Sequence, residues 1–131
     1  MSSLATERGE IRNPRFARRA RTFAGLRCDG EITPTDIDCS VDFQDKTFIF
    51  TEGKTCGALV PKGQRRHLVA LVRGLRAGGC KAFAVVIEYP RGDDEVDFAS
   101  CLVVEWFYGD RWMGAPEAQT LAEFYDWVRA I

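Results

Sequence analysis

Residues Lys81 to Tyr89 contain an unbroken apolar run, Ala82, Phe83, Ala84, Val85, Val86 and Ile87, closed by Pro90. A strand without polar alternation has both faces covered, which places it at the centre of a sheet with a layer on each side. The chain before it supplies one such layer. Lys62 to Ala77 reads as a helix, with Leu68, Leu71, Val72 and Leu75 on one stripe and Arg65, Arg66, Arg73 and Arg76 on another. Gly78 and Gly79 stop it. Gln64 falls on the apolar stripe, an unusual place for an amide, since a buried polar group needs a partner.

The other elements follow from period and punctuation. Ile37 to Phe43 alternates, with Ile37, Cys39, Val41 and Phe43 on one face and Asp38, Ser40 and Asp42 on the other. Asp45 and Lys46 turn the chain into Thr47 to Thr51, which runs on into Glu52, Gly53 and Lys54, so the two segments form a hairpin. Downstream, Arg91 to Phe98 is an acidic loop. Ser100 to Tyr108 and Arg111 to Met113 pair through Gly109 and Asp110. Thr120 to Ile131 is a helix with Leu121, Phe124, Tyr125 and Val128 apolar. Upstream, Pro14 to Leu26 has Phe16, Ala20, Phe23 and Ala24 at helical spacing among arginines, and Cys28 to Thr35 reads as loop or short strand. The order is helix, hairpin, helix, strand, hairpin, helix, an α/β (α+β) arrangement.

With 131 residues the chain is expected to form a single domain over 1–131. No apolar stretch reaches the roughly 18 to 20 residues that span a bilayer, and Met1 to Thr6 lacks the apolar core of a signal peptide, so a soluble, cytoplasmic protein without membrane partners is expected. Five cysteines, Cys28, Cys39, Cys56, Cys80 and Cys101, without a CxxC pair and beside a single histidine, argue against structural zinc and a disulfide framework.

The formal net charge of −1 conceals a partition. Residues 8–27 carry seven arginines against Glu10, and residues 62–81 carry six basic residues and no acid. Residues 28–61 and 82–131 are acidic. Basic blocks beside clustered carboxylates suit a polyanion handled with a bound cation.

The carboxylates converge at the first hairpin. In a strand, residues two apart share a face, so Glu52 and Lys54 project together. If the strands pair across the turn near Asp45, Asp38 lies almost opposite Glu52. Two carboxylates so close repel unless a divalent cation lies between them. Hard oxygen ligands suit Mg²⁺, which keeps most of its waters and accepts phosphate oxygens. A lysine beside such a site can orient an attacking water and counter the charge developing on phosphorus.

The run Pro34, Thr35, Asp36, Ile37 and Asp38, followed after thirteen residues by Glu52, Gly53 and Lys54, resembles the PD-(D/E)XK nuclease signature. There, the first acid opens a strand and the E-x-K closes the next. The following segment, with Leu59, Pro61, Gly63, Gln64 and Leu68 before an apolar strand, is similar to the phage-type and VRR-NUC branches of that superfamily, where a glutamine opens the helix after the motif. The resemblance spans residues 34–90. It implies a restriction-endonuclease-like αβββαβ core, a central mixed sheet flanked by helices, to which this chain adds a C-terminal hairpin and helix. It also implies Mg²⁺-dependent hydrolysis of phosphodiester bonds, with Mn²⁺ as a substitute. Asp38 and Glu52 are then metal ligands with the Gly53 carbonyl as a third, Lys54 is the catalytic lysine, and Gln64 supports the site. Glycine at the middle motif position departs from a regular strand interior. Some branches also draw an acid from the first helix, and here Glu7 and Glu10, which precede that helix, are the candidates. Asp36 competes with Asp38 as ligand, although the thirteen-residue interval favours Asp38.

The resulting expectation is a metal-dependent deoxyribonuclease, phage- or prophage-encoded, selective for DNA structure or ends and acting as a homodimer in the host cytoplasm. Arg15, Arg18, Arg19, Arg65, Arg66, Arg73 and Arg76 would contact DNA phosphates. The alternative is a catalytically silent protein of the same fold that binds nucleic acid or a host protein, for instance as a phage counter-defence factor. The other chemistry-bearing residues read as structural. His67 is taken as an exposed helical residue, Cys39 and Cys56 as packing residues, Trp106, Trp112 and Trp127 as core or interface aromatics, and Asp93, Asp94, Glu95 and Asp97 as a solvated loop.

Overall fold

The computed structural model describes residues 37–44, 46–115 and 117–131, all of which belong to one compact unit. The expected helix at Pro14 to Leu26, the segment Cys28 to Thr35, the turn residue Asp45, the acids Glu7, Glu10 and Asp36, and the arginines Arg15, Arg18 and Arg19 lie outside the described residues.

The described chain is a mixed α+β structure. Strand β1 (Cys39–Asp42) and strand β2 (Thr47–Thr55) are followed by helix α1 (Lys62–Ala77) and strand β3 (Lys81–Tyr89). A short 3₁₀ turn (Phe98–Ser100) then leads to strands β4 (Leu102–Phe107) and β5 (Trp112–Gly114) and helix α2 (Leu121–Ala130). The five strands form one sheet in the order β1-β2-β3-β4-β5. The β2–β3 pair is parallel and the other three pairs are antiparallel. A parallel pair requires a crossover, and α1 is that crossover.

Parity sorts the side chains into two layers. Ile49, Phe83, Val85, Ile87 and Val103 pack with Leu121, Phe124 and Val128 of α2. Phe50, Ala82, Ala84 and Phe107 pack with Leu68 and Val72 of α1 on the other face. This is why β3 shows no alternation in sequence: Ala82 to Ile87 are all buried, half against each helix. Each buried Val, Leu, Ile or Phe contributes about 1.5–3 kcal/mol relative to exposure.

The ends of α1 match the sequence reading. Pro61 sits just before the first turn, where its missing N–H leaves no hydrogen bond unmade. At the other end the Gly78 N–H bonds Gly74 and Leu75 carbonyls, the Cys80 N–H bonds the Leu75 carbonyl, and Gly79 takes φ +93°, which disfavours any side chain. In α2 the Thr120 hydroxyl accepts from the Glu123 N–H while the Glu123 carboxylate accepts from the Thr120 N–H, a complete capping box.

Besides shifts of one residue at β5 and α2, three boundaries differ from the sequence reading. Strand β1 is confined to Cys39–Asp42, because pairing to β2 starts at Cys39. Strand β2 continues through the E-G-K triplet to Thr55, because β3 pairs with it along its whole length. Strand β4 starts at Leu102, the preceding residues being drawn into the 3₁₀ turn whose first N–H groups are capped by Asp97. Among the described residues, no helix is long and apolar enough to cross a membrane.

Candidate active site

The hairpin brings Asp38, just before β1, to the backbone of the E-G-K triplet on β2. The β1–β2 ladder ends at Cys39 and Thr51, and the bend just before it places the Asp38 carboxylate against Gly53, the residue after Glu52. Asp38 is exposed, and its Oδ2 accepts a 2.8 Å hydrogen bond from the Gly53 N–H. This bond fixes a surface carboxylate against the backbone of the motif. Glu52 is the only acid with its side chain in the core layer among the described residues, at 4% exposure. One carboxylate of the pair thus faces solvent and the other is shielded from it.

Gly53 occupies the middle position for a packing reason. A Cβ built there would lie 3.2 Å from the Phe98 ring and 3.6 Å from Asp38 Oδ2. The departure from the motif pattern is therefore matched by Phe98 and by the Asp38 carboxylate, which occupy the space of a side chain.

Lys54 lies two residues beyond Glu52, on the same face of β2, as the strand period requires. Its Nζ stands 2.6 Å from Glu88 Oε2 on β3 and donates also to the Ala58 carbonyl at 2.8 Å. The pairing register explains the contact, since Lys54 and Glu88 are direct partners in the parallel ladder. The lysine hydrogen bond holds the Glu88 carboxyl below its ordinary value, against an opposing effect of desolvation. Glu88 is the site residue that sequence reasoning missed. The available signal was a single acid at the end of an otherwise apolar strand.

Gln64 is half-buried in the first turn of α1, the helix that covers this face of the sheet. His67, expected to be exposed, is half-buried instead, one residue before the buried Leu68. Arg65, which follows Gln64, is also half-buried. It forms an ion pair with Glu105 on β4 and lies over the Trp112 ring at 4.4 Å. A bulge in β4 makes this pairing: Val86 faces Glu105 while Ile87 faces Val103, so the strand bends at Val104 and Glu105 turns to the α1 face. Arg65 therefore serves the hairpin. Arg66 is exposed. Arg73 and Arg76 stand at the far end of α1, against Phe107 and Tyr108.

The remaining residues have structural surroundings. Cys39 Sγ lies 3.9 Å from the Tyr125 hydroxyl, and burial, with Cys39 beside it, raises the Tyr125 pKa well above the ordinary phenol value. Cys56 is exposed, and the Cys101 thiol is pushed up mainly by burial. Trp106 and Trp127 join Phe83 and Phe124 in an aromatic cluster with ring centroids 5.5–6.2 Å apart, and Trp112 packs on Phe107. Asp93, Asp94, Glu95 and Asp97 are exposed.

Chemically, the site offers an exposed carboxylate, a buried carboxylate, a backbone carbonyl at Gly53 and an ammonium. These are hard oxygen donors of the kind Mg²⁺ accepts, and Mg²⁺ is commonly held by one or two carboxylates with water completing its shell. Among the described residues no group of three or more His, Cys, Asp or Glu side chains is placed to hold a metal, so an ion here would depend on the two carboxylates, the carbonyl and water. Comparison of the chain with family models, with curated proteins and with solved structures gives no match.

Proposed function

We propose that this protein is a metal-dependent DNA nuclease that hydrolyses phosphodiester bonds, with Asp38, Glu52 and Lys54 at its centre on a restriction-endonuclease-like core. The observation that carries the reading is the hydrogen bond from the Gly53 N–H to Asp38, which joins the strand-opening acid to the E-G-K triplet. On this reading Asp38, Glu52 and the Gly53 carbonyl hold Mg²⁺, which when bound supplies a Lewis acid for the phosphate and a more acidic water. Lys54 orients the attacking water and offsets charge on the phosphoryl oxygens. Glu88 positions Lys54, and Gln64 supports the site from α1. Selectivity for DNA structure or ends belongs to this reading, and paired cleavage would require a homodimer. A phage or prophage origin belongs to the same reading through the resemblance of the motif.

One observation favours a second reading, a silent nuclease-fold protein that binds nucleic acid or a host protein. The Lys54 ammonium is already engaged by Glu88 and the Ala58 carbonyl. The experiment that separates the two is incubation with linear, nicked, single-stranded and branched DNA, with and without Mg²⁺ or Mn²⁺, alongside Glu52→Ala and Lys54→Ala. Metal-dependent cutting by wild type and its loss in both variants supports the nuclease. No cutting in any metal supports the silent reading, and cutting by both variants places the active site elsewhere.

A further inference from the structure

Away from the carboxylates, the C-terminal end of α1 and the β4–β5 turn border two adjoining open surface depressions of about 390 and 330 Å³. Arg76 and Asp110 line both, Arg73 lines one, and Tyr108, Arg111 and Met113 line the other. Three cations thus face a single acid, and among the described residues none of the three arginines is in an ion pair.

The two helix arginines are held in place. The Arg76 guanidinium lies 3.8 Å above the Tyr108 ring, and Arg73 lies over Phe107 while its Nε donates to the Gly109 carbonyl at 3.2 Å. Stacking on a ring uses the face of a guanidinium and leaves the N–H groups at its edge available for a bidentate contact with phosphate. Gly109 is part of the construction. The Arg76 side chain fills the space a Cβ would take, and φ +132° disfavours any other residue. The turn carries no side chain at the one point where the arginine crosses it.

We propose that this groove binds a backbone phosphate of the DNA substrate, at a distance from the bond that is cut. The proposal rests on the nuclease reading for the identity of its ligand. Gln64 and Arg76 are twelve positions apart on one helix, roughly 18 Å at 1.5 Å per residue. That length corresponds to about five base-pair steps at 3.4 Å each. The groove therefore acts as an outlying anchor that sets how much duplex must extend beyond the cut.

The test is binding of a labelled duplex in EDTA, titrated with salt, for wild type, Arg73→Gln, Arg76→Gln, Arg111→Gln and the triple variant. Arg91→Gln removes one cation from the acidic loop and serves as the control for net charge. Each groove substitution should raise Kd about three- to tenfold and lower the salt slope by about one, with a loss near three for the triple variant. Arg91→Gln should change Kd by less than twofold. In Mg²⁺, wild type should lose cleavage when the duplex is shortened to within about five base pairs of the cut, and the triple variant should no longer distinguish long from short substrates. If wild type binds DNA and the groove variants match it in Kd and salt slope, the groove proposal is overturned and the nuclease reading stands. If wild type neither binds nor cuts DNA, both fail together.

Discussion

The Lys54 ammonium stands 2.6 Å from the Glu88 carboxylate, joining the end of strand β2 to the central strand β3 beside it. The two side chains are 16% and 27% exposed, so the pair is neither buried nor fully screened. Lowering of the Glu88 pKa from 4.5, chiefly by the lysine hydrogen bond, means that its stabilisation is present above the unfolded carboxyl value and lost as the pH falls through the folded one. Glu88→Gln should therefore melt below wild type at neutral pH, by the equivalent of about 1 kcal/mol or less. The gap should close below pH 4.5. A gap that stays constant across the titration would falsify the pairing as the source.

Gly53→Ala should destabilise by about 1 kcal/mol, the cost of shifting the Phe98 ring a few tenths of an ångström to admit a methyl. The added carbon meets the Phe98 ring at 3.2 Å. Phe98→Leu makes room, so the double variant should recover part of the loss. Urea unfolding of both single variants and the double variant reads the coupling; strict additivity would mean that Phe98 is not the obstacle.

Divalent cation binding should stabilise the fold independently of any activity. At ten times Kd, Mg²⁺ would add about 1.4 kcal/mol. Asp38→Asn should reduce this thermal shift, since it removes the charge of a ligand in the proposed site while keeping an oxygen that the Gly53 N–H can meet. An equal shift in wild type and variant would place the cation elsewhere.

The α2 layer offers a contrast between two aromatic neighbours. Phe124 is 1% exposed and Trp127 is 41% exposed, although their ring centroids lie only 5.6 Å apart in a tilted pair. Phe124→Ala should cost about 3–5 kcal/mol through the cavity it leaves. Trp127→Ala should cost clearly less, and equal losses in denaturant midpoints would contradict the packing described.

Removal of the capping hydroxyl by Thr120→Ala should cost about 0.5–2 kcal/mol, because the Glu123 N–H loses its acceptor at the start of α2. Thr120→Ser keeps that acceptor and should stay close to wild type. Thermal melts of the two variants at neutral pH check this, and a serine variant as weak as the alanine variant would point to the lost methyl instead.

What could be read from the sequence was local. Lys62–Ala77 and Lys81–Tyr89 emerge with their observed bounds because Gly78, Gly79 and Pro90 mark the ends and the periods between them are clean. The meeting of Asp38 with the Glu52 strand was legible because a hairpin fixes its own register through its turn. Glu88 was not, because its link to Lys54 depends on the parallel register of β2 and β3, which no turn sets. Arg65 and Glu105 meet only through a bulge at Val104, and the stacking of Arg73 and Arg76 depends on where the β4–β5 turn falls. Helical periodicity identifies a charged stripe; it does not tell which of its members the neighbouring hairpin will claim.

The parallel β2–β3 pair has a consequence for the order of events during folding. Lys54 and Glu88 are 34 positions apart, and bringing them together closes a loop whose entropic cost is about 3 kcal/mol. The β1–β2 hairpin needs no such closure and can form while the rest of the chain is still being made. A nascent chain truncated before β3 would carry Asp38, Glu52 and Lys54 without the strand that orients the lysine. On the proposed nuclease reading, competence would then arrive late, in the same step that encloses the core, and a half-made molecule would leave nucleic acids uncut.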